Sequence, residues 1–150
     1  MKYVHTNIVA KDWKRLAAFY QDALGCVPVP PERDLKGEWI DALTGLTNAH
    51  LVGVHLRLPG WGDDGPTLEI FQYNFGPSER PPVATNNPGF NHIAFQVEDV
   101  QAAASQFVAH GGVPVGELVT RTYPGGRVLT VQYLADPEGN IVELQCWSEG

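Results

Sequence analysis

Two stretches of this chain repeat one pattern, and the repeat limits the fold more than any single motif does. His5 sits in Tyr3-Val4-His5-Thr6-Asn7-Ile8-Val9-Ala10-Lys11-Asp12 and His92 in Phe90-Asn91-His92-Ile93-Ala94-Phe95-Gln96-Val97-Glu98-Asp99. In both, an aspartate follows the histidine by seven residues and opens an amphipathic helical pattern. Each copy closes on a strand-like run with a glutamate inside it, Glu69 between Thr67 and Tyr73, and Glu143 between Ile141 and Trp147. Two imidazoles and two carboxylates at matched places of a duplicated unit read as one divalent-metal site built by pseudo-symmetry.

Strand side chains alternate, so His5, Asn7 and Val9 share one face of a strand over residues 2 to 10. Asp12 is an N-cap, Trp13, Leu16, Ala17, Tyr20 and Leu24 recur at helical spacing, and Gly25 supplies a left-handed stop. Residues 28 to 38, rich in proline and charge, read as loop, and Glu38 to Leu46 as a short helical turn. Strands are expected from His50 to Leu58 and from Thr67 to Tyr73. Residues 76 to 89 have linker composition between module 1 (1 to 75) and module 2 (90 to 150) of a single domain.

The second copy repeats the order: a strand over 90 to 97, an Asp99 cap, and a helix with Val100, Ala103, Ala104, Phe107 and Val108 on one face, stopped at Gly111-Gly112. Strands follow near 113 to 120, 127 to 134 and 140 to 147, with Asp136-Pro137-Glu138-Gly139-Asn140 as the turn before the last. The histidine-to-glutamate interval is 64 residues in the first copy and 51 in the second, and the 13 extra residues are most economically placed between 28 and 50.

Composition narrows the function classes. At 150 residues and 43% hydrophobic, the chain can bury one substantial core or two small packed units. A net charge of −7, from 10 basic against 17 acidic residues, argues against nucleic acid, whose affinity rests on clustered cations. No apolar run approaches the ~20 residues needed to span a bilayer. No membrane partner and a cytoplasmic location are therefore expected. Cys26 and Cys146 form no disulfide framework or Cys-X-X-Cys site, and Cys146 reads as a small buried hydrophobe.

The stretches His5 through Asp12 leading into Phe19-Tyr20-Gln21-Asp22-Ala23-Leu24-Gly25, Asn91 through Asp99, and Asp136 through Leu144 carry a resemblance over nearly the whole chain. It resembles the vicinal oxygen chelate superfamily, which includes glyoxalase I, methylmalonyl-CoA epimerase, extradiol dioxygenases and the bleomycin and fosfomycin resistance proteins. The resemblance implies an α+β fold of two βαβββ modules forming a curved, partly open mixed sheet with the helices outside. It places His5, Glu69, His92 and Glu143 at the four ligand positions of one divalent metal ion (Zn, Ni, Co, Mn or Fe), inside one chain or across a homodimer.

The residue chemistry agrees, because two imidazoles and two carboxylates form a mixed N/O shell suited to those ions. By resemblance the activity is that of a metal-dependent lyase or isomerase of the glyoxalase type, moving a proton through an enolate or enediolate of a small oxygenated carbonyl substrate, with Glu69 or Glu143 as base. Val9 stands where glutathione-dependent glyoxalase I carries an arginine, and Glu69 where the epimerase has glutamine. The alternatives are an extradiol-type dioxygenase, which wants an extra pocket base such as a histidine, and a non-enzymatic drug- or metabolite-binding protein. His50, His55 and His110 read as surface or core residues. Arg57, Arg121 and Arg127 are candidates to hold a substrate carboxylate or phosphate, the latter two bounding a glycine-rich loop, and Phe71 and Trp147 to line the pocket.

Overall fold

In a computed structural model the chain forms two open mixed sheets and three helices, described for every residue except Ser78, Arg80 and Gly150. Ser78 and Arg80 belong to the expected linker, so that part of it lies outside the described residues. The chain divides into two compact units, Met1–Arg80 and Pro81–Gly150.

The first unit runs β1 (His5–Val9), α1 (Trp13–Leu24), β2 (Val27–Lys36), α2 (Glu38–Thr44), β3 (His50–Arg57) and β4 (Thr67–Tyr73), with sheet order β1-β4-β3-β2. β1 pairs in parallel with β4, and the other pairs are antiparallel. The Asp12 carboxylate accepts from the Arg15 N–H at 3.1 Å at the start of α1. At its end Gly25 takes φ 67°, and the N–H groups of Gly25 and Cys26 close on the carbonyls of Gln21 and Tyr20. Leu16, Ala17 and Tyr20 are buried on α1, which packs on β3 and β4, where Val54, Leu56, Leu68 and Ile70 are buried. Each large side chain so enclosed contributes roughly 1.5–3 kcal/mol.

β2 corrects the expectation of a loop over 28 to 38. It is an edge strand, where proline removes no needed ladder donor, and its register shifts between Val29 and Arg33 around Pro30 and Pro31. α2 then covers part of the sheet face opposite α1. Ile40 packs with Ala49, Leu51 and Phe71, bordered by Leu35 and Tyr73.

The second unit runs β5 (His92–Gln96), α3 (Val100–Ala109), β6 (Val113–Pro114), β7 (Val119–Thr122), β8 (Arg127–Ala135) and β9 (Ile141–Glu149). Its order is β5-β9-β8-β6, with β7 also on β8, and β5 parallel to β9. The Asp99 carboxylate caps α3 by accepting from Ala102 N–H at 3.0 Å. Val100, Ala104 and Phe107 are buried on α3, which packs on β8 and β9, where Leu134, Val142 and Leu144 are buried, whereas Val108 is largely exposed.

The expected strand over 113 to 120 is two short ones, because the N–H groups of Val115 and Gly116 both point at the Tyr133 carbonyl and the ladder breaks there. The expected Arg121–Arg127 loop is shorter, since Arg121 lies within β7, Arg127 opens β8, and only Tyr123–Gly126 turns. The buried Asp136 carboxylate closes the turn before β9, accepting from the N–H groups of Glu138 and Asn140 at 2.9 Å each and from the Asn140 side-chain amide at 2.7 Å.

The extra length of the first unit is not confined to residues 28 to 50. His55 pairs with Glu69 across β3 and β4 as Tyr133 pairs with Glu143 across β8 and β9. Measured from those pairs, nine of the extra residues precede β3 and four fall in the turn between β3 and β4.

Candidate metal centre

The ladder of the first sheet brings three metal-ligating side chains onto one face. His5 pairs with Thr67 and Asn7 with Glu69 between β1 and β4, while His55 pairs with Glu69 between β3 and β4. Directly opposed residues share a face, so His5, His55 and Glu69 all stand on the side away from α1. One ligand atom from each lies within 4.8 Å of the other two.

Glu69 is the hub of that group. Its Oε1 is 2.9 Å from His55 Nε2, and its Oε2 is 3.6 Å from His5 Nε2 and accepts from Asn7 Nδ2 at 2.8 Å. His55 Nδ1 meets Thr67 Oγ1 at 3.0 Å, and its ring makes edge contacts with His5 (centroids 5.6 Å apart) and Phe71 (6.0 Å). Burial holds the His55 imidazole below its ordinary pKa; the Glu69 charge and hydrogen bond oppose this, and the charges of Arg33 and His5 add to the lowering.

The second unit repeats the arrangement with one exchange. His92 Nε2 is 3.3 Å from Glu143 Oε2, and β5 runs beside β9 as β1 runs beside β4. Tyr133 takes the place of His55: it opposes Glu143 across the ladder, its ring centroid is 5.0 Å from that of His92, and its hydroxyl donates to the Glu143 carboxylate. Burial, then that hydrogen bond and the Glu143 charge, push the Tyr133 pKa up, which keeps the phenol protonated.

The donor set fits a divalent cation. With metal–ligand bonds of about 2.1 Å, neighbouring donors stand roughly 3.0–3.4 Å apart around a six- or four-coordinate ion. The imidazole–carboxylate separations of 2.9, 3.3 and 3.6 Å bracket that range. Thr67 on the far nitrogen of His55 is the kind of outer partner that fixes a ligating histidine's tautomer.

The sequence-derived residues therefore fall into groups. His5 and Glu69 come together in the first unit, as do His92 and Glu143 in the second. Phe71 is buried under α2 on the same face, beside the His55 ring. Arg57 pairs with Asp63 at 3.0 Å, its Nε buried and without a hydrogen bond. Arg121, Arg127 and Trp147 cluster on the second sheet, described further below.

His55 and Tyr133 were not picked out by sequence reasoning. The available signal was their shared place, one strand upstream of each glutamate, but recognising it requires the hairpin register. His50 and His110 do have plain roles, paired with Asp34 at 2.7 Å and bonded to the Gln106 carbonyl at 2.8 Å.

Residues 2–144 match the family model described as Glyoxalase/Bleomycin resistance protein/Dioxygenase superfamily. Among solved structures, a glyoxalase family protein from Bacillus cereus is similar at 23% identity and TM-score 0.73, covering 98% of this chain and 93% of its own. A trypanothione-dependent glyoxalase I from Leishmania major is similar at 24% identity and TM-score 0.61, over 96% of this chain and 85% of its own. A glyoxylase/bleomycin resistance protein/dioxygenase domain from Frankia sp. matches at 15% identity and TM-score 0.61, over 99% and 97%. At these identities the likeness is one of fold. No curated protein matches the chain significantly.

Proposed function

Because the chain belongs to the glyoxalase/bleomycin resistance protein/dioxygenase superfamily, we propose that it is a metal-dependent lyase or isomerase that moves a proton next to a carbonyl of a small oxygenated substrate. The observation that carries this reading is the His5–His55–Glu69 group, three donors within 4.8 Å on one sheet face, echoed by His92 and Glu143 at matched ladder positions. His5, Glu69, His92 and Glu143 are the proposed metal ligands, and His55 adds a third donor in the first unit. A divalent ion held by such donors supplies Lewis acidity, lowering the pKa of a carbon acid beside a carbonyl.

The two carboxylates divide the remaining work. Glu69 is tied by Asn7, His55 and His5, so it stays a fixed carboxylate. Glu143 has His92 and the Tyr133 hydroxyl, and is the freer of the two to swing and carry a proton from one carbon or oxygen to the next. Tyr133, held protonated, donates to Glu143 and aims it. This assignment makes Glu143 the base and Glu69 the anchor.

Elemental analysis of purified protein tests the ligand assignment, followed by enolisation assays with methylglyoxal–thiol adducts and acyl-CoA esters. His5→Ala and Glu69→Ala are expected to lower bound metal at least tenfold and abolish turnover. Full metal retention in both would overturn the assignment. Glu143→Gln should retain most metal and lose turnover.

A second reading, a dioxygenase of the same superfamily, draws on one observation: a further histidine, His55, stands 2.9 Å from the candidate ligand Glu69. Oxygen consumption with a panel of catechols under Fe(II) separates the two. Binding of an aromatic ligand unchanged by chelation would instead mark a non-enzymatic module.

A further inference from the structure

We propose that the exposed face of the second sheet carries an oxyanion subsite, built by Arg121, Tyr123, Arg127 and Trp147, that holds a carboxylate or phosphate at the far end of an elongated ligand. The Arg127 guanidinium lies 4.4 Å over the Trp147 ring and the Arg121 guanidinium 5.2 Å over the Tyr123 ring. The two rings are themselves in contact, with centroids 5.4 Å apart. One cluster thus spans β7, the turn after it, β8 and β9.

Both guanidiniums lack a carboxylate partner within ion-pair distance among the described residues. Glu149 stands across the ladder from Arg127, yet Arg127 rests on the indole instead. A guanidinium stacked on a ring has its face covered while its N–H edge stays free, and that edge matches the paired oxygens of a carboxylate or phosphate. Both arginines are exposed, so a ligand can reach them.

The position of the cluster says what it would hold. Tyr133 pairs with Glu143, Val131 with Gln145 and Leu129 with Trp147, so these residues form a strip on one face. Arg121 joins it opposite Leu129. Trp147 is four residues beyond Glu143, roughly 13 Å along an extended strand. Gln145, between them, accepts from Trp147 Nε1 at 3.0 Å, which fixes the indole. A ligand whose oxygenated carbonyl end meets Glu143 and whose other end carries an oxyanion matches this strip, while Val131 and Leu129 suit an apolar middle. The inference rests on the proposed function only for what happens at the Glu143 end.

The test is a titration of metal-free protein at low ionic strength, followed through the Trp147 indole N–H, assigned with Trp147→Phe, and the arginine Nε–H signals. The probes are inorganic phosphate, glutarate and uncharged glutaramide. Phosphate and glutarate are expected to move these signals saturably, the tighter of them identifying the preferred oxyanion, and glutaramide is expected to leave them in place. Arg121→Gln and Arg127→Gln should each weaken the anion at least tenfold without altering signals elsewhere. Equal response to glutaramide, or a double variant that titrates like the parent, overturns the subsite. Failure of the metal assignment would leave this titration unchanged, so the two are separable.

Discussion

Gly53 shows how tightly the sheet is packed next to the candidate centre. It opposes Phe71 on the ladder, and a Cβ built there would lie 2.0 Å from the Ile70 carbonyl oxygen and 2.4 Å from the Phe71 ring. Gly53→Ala is expected to cost about 2–3 kcal/mol, because strand and ring must both give way. A fall in the urea midpoint with an unchanged slope checks this. The same change shifts Phe71 against His55, so metal affinity should fall with it.

Cys26 is a second single-residue case. Burial pushes its thiol up to about 12, so at pH 8 it should resist alkylation in the folded protein and react once unfolded. Labelling with iodoacetamide before and after denaturant reads this directly. At this scale the nearness of His5 to Glu69 and of His92 to Glu143 was legible because the duplication marks those places. His55 and Tyr133 were not, since what singles them out is a partner across a hairpin, which one-dimensional spacing does not display.

Among elements, the helices were the most readable. α1 and α3 each begin at an aspartate whose carboxylate takes a backbone N–H, and each shows its buried stripe in the sequence. Asp12→Ala and Asp99→Ala are each expected to cost about 1 kcal/mol of stability. Thermal midpoints lower in both variants, with sheet content retained, would agree. Strands were harder where their chemistry was atypical. β2 holds three prolines and hides its strand character because only an edge tolerates them. β6 and β7 were read as one strand because their break depends on two N–H groups sharing the Tyr133 carbonyl, a tertiary event.

On the scale of the whole molecule, the family was legible from the stretches that resemble it, around His5, His92 and Asp136, and the α+β class with two mixed, open sheets agrees with it. Among the described residues no helix is long and apolar enough to cross a membrane. If the metal assignment holds, folding and binding are linked, and an ion at a hundred times its dissociation constant adds about 2.7 kcal/mol of stability. The parent should therefore gain in melting temperature on adding Zn, Co or Mn, with His55→Ala gaining much less. Equal gains in both would remove His55 from the coordination set.

α2 buttresses the His55 imidazole of the first unit through Ile40 and Phe71, and the second unit has only the Tyr123–Gly126 turn at the corresponding place in its order. The duplicated halves thereby differ in what packs over the ligand-bearing face. One is braced, so drift there disturbs the chemistry. The other exposes its arginines and aromatics on a hairpin that can mutate without unsettling a core, and new ligand preferences in this lineage would accumulate there first.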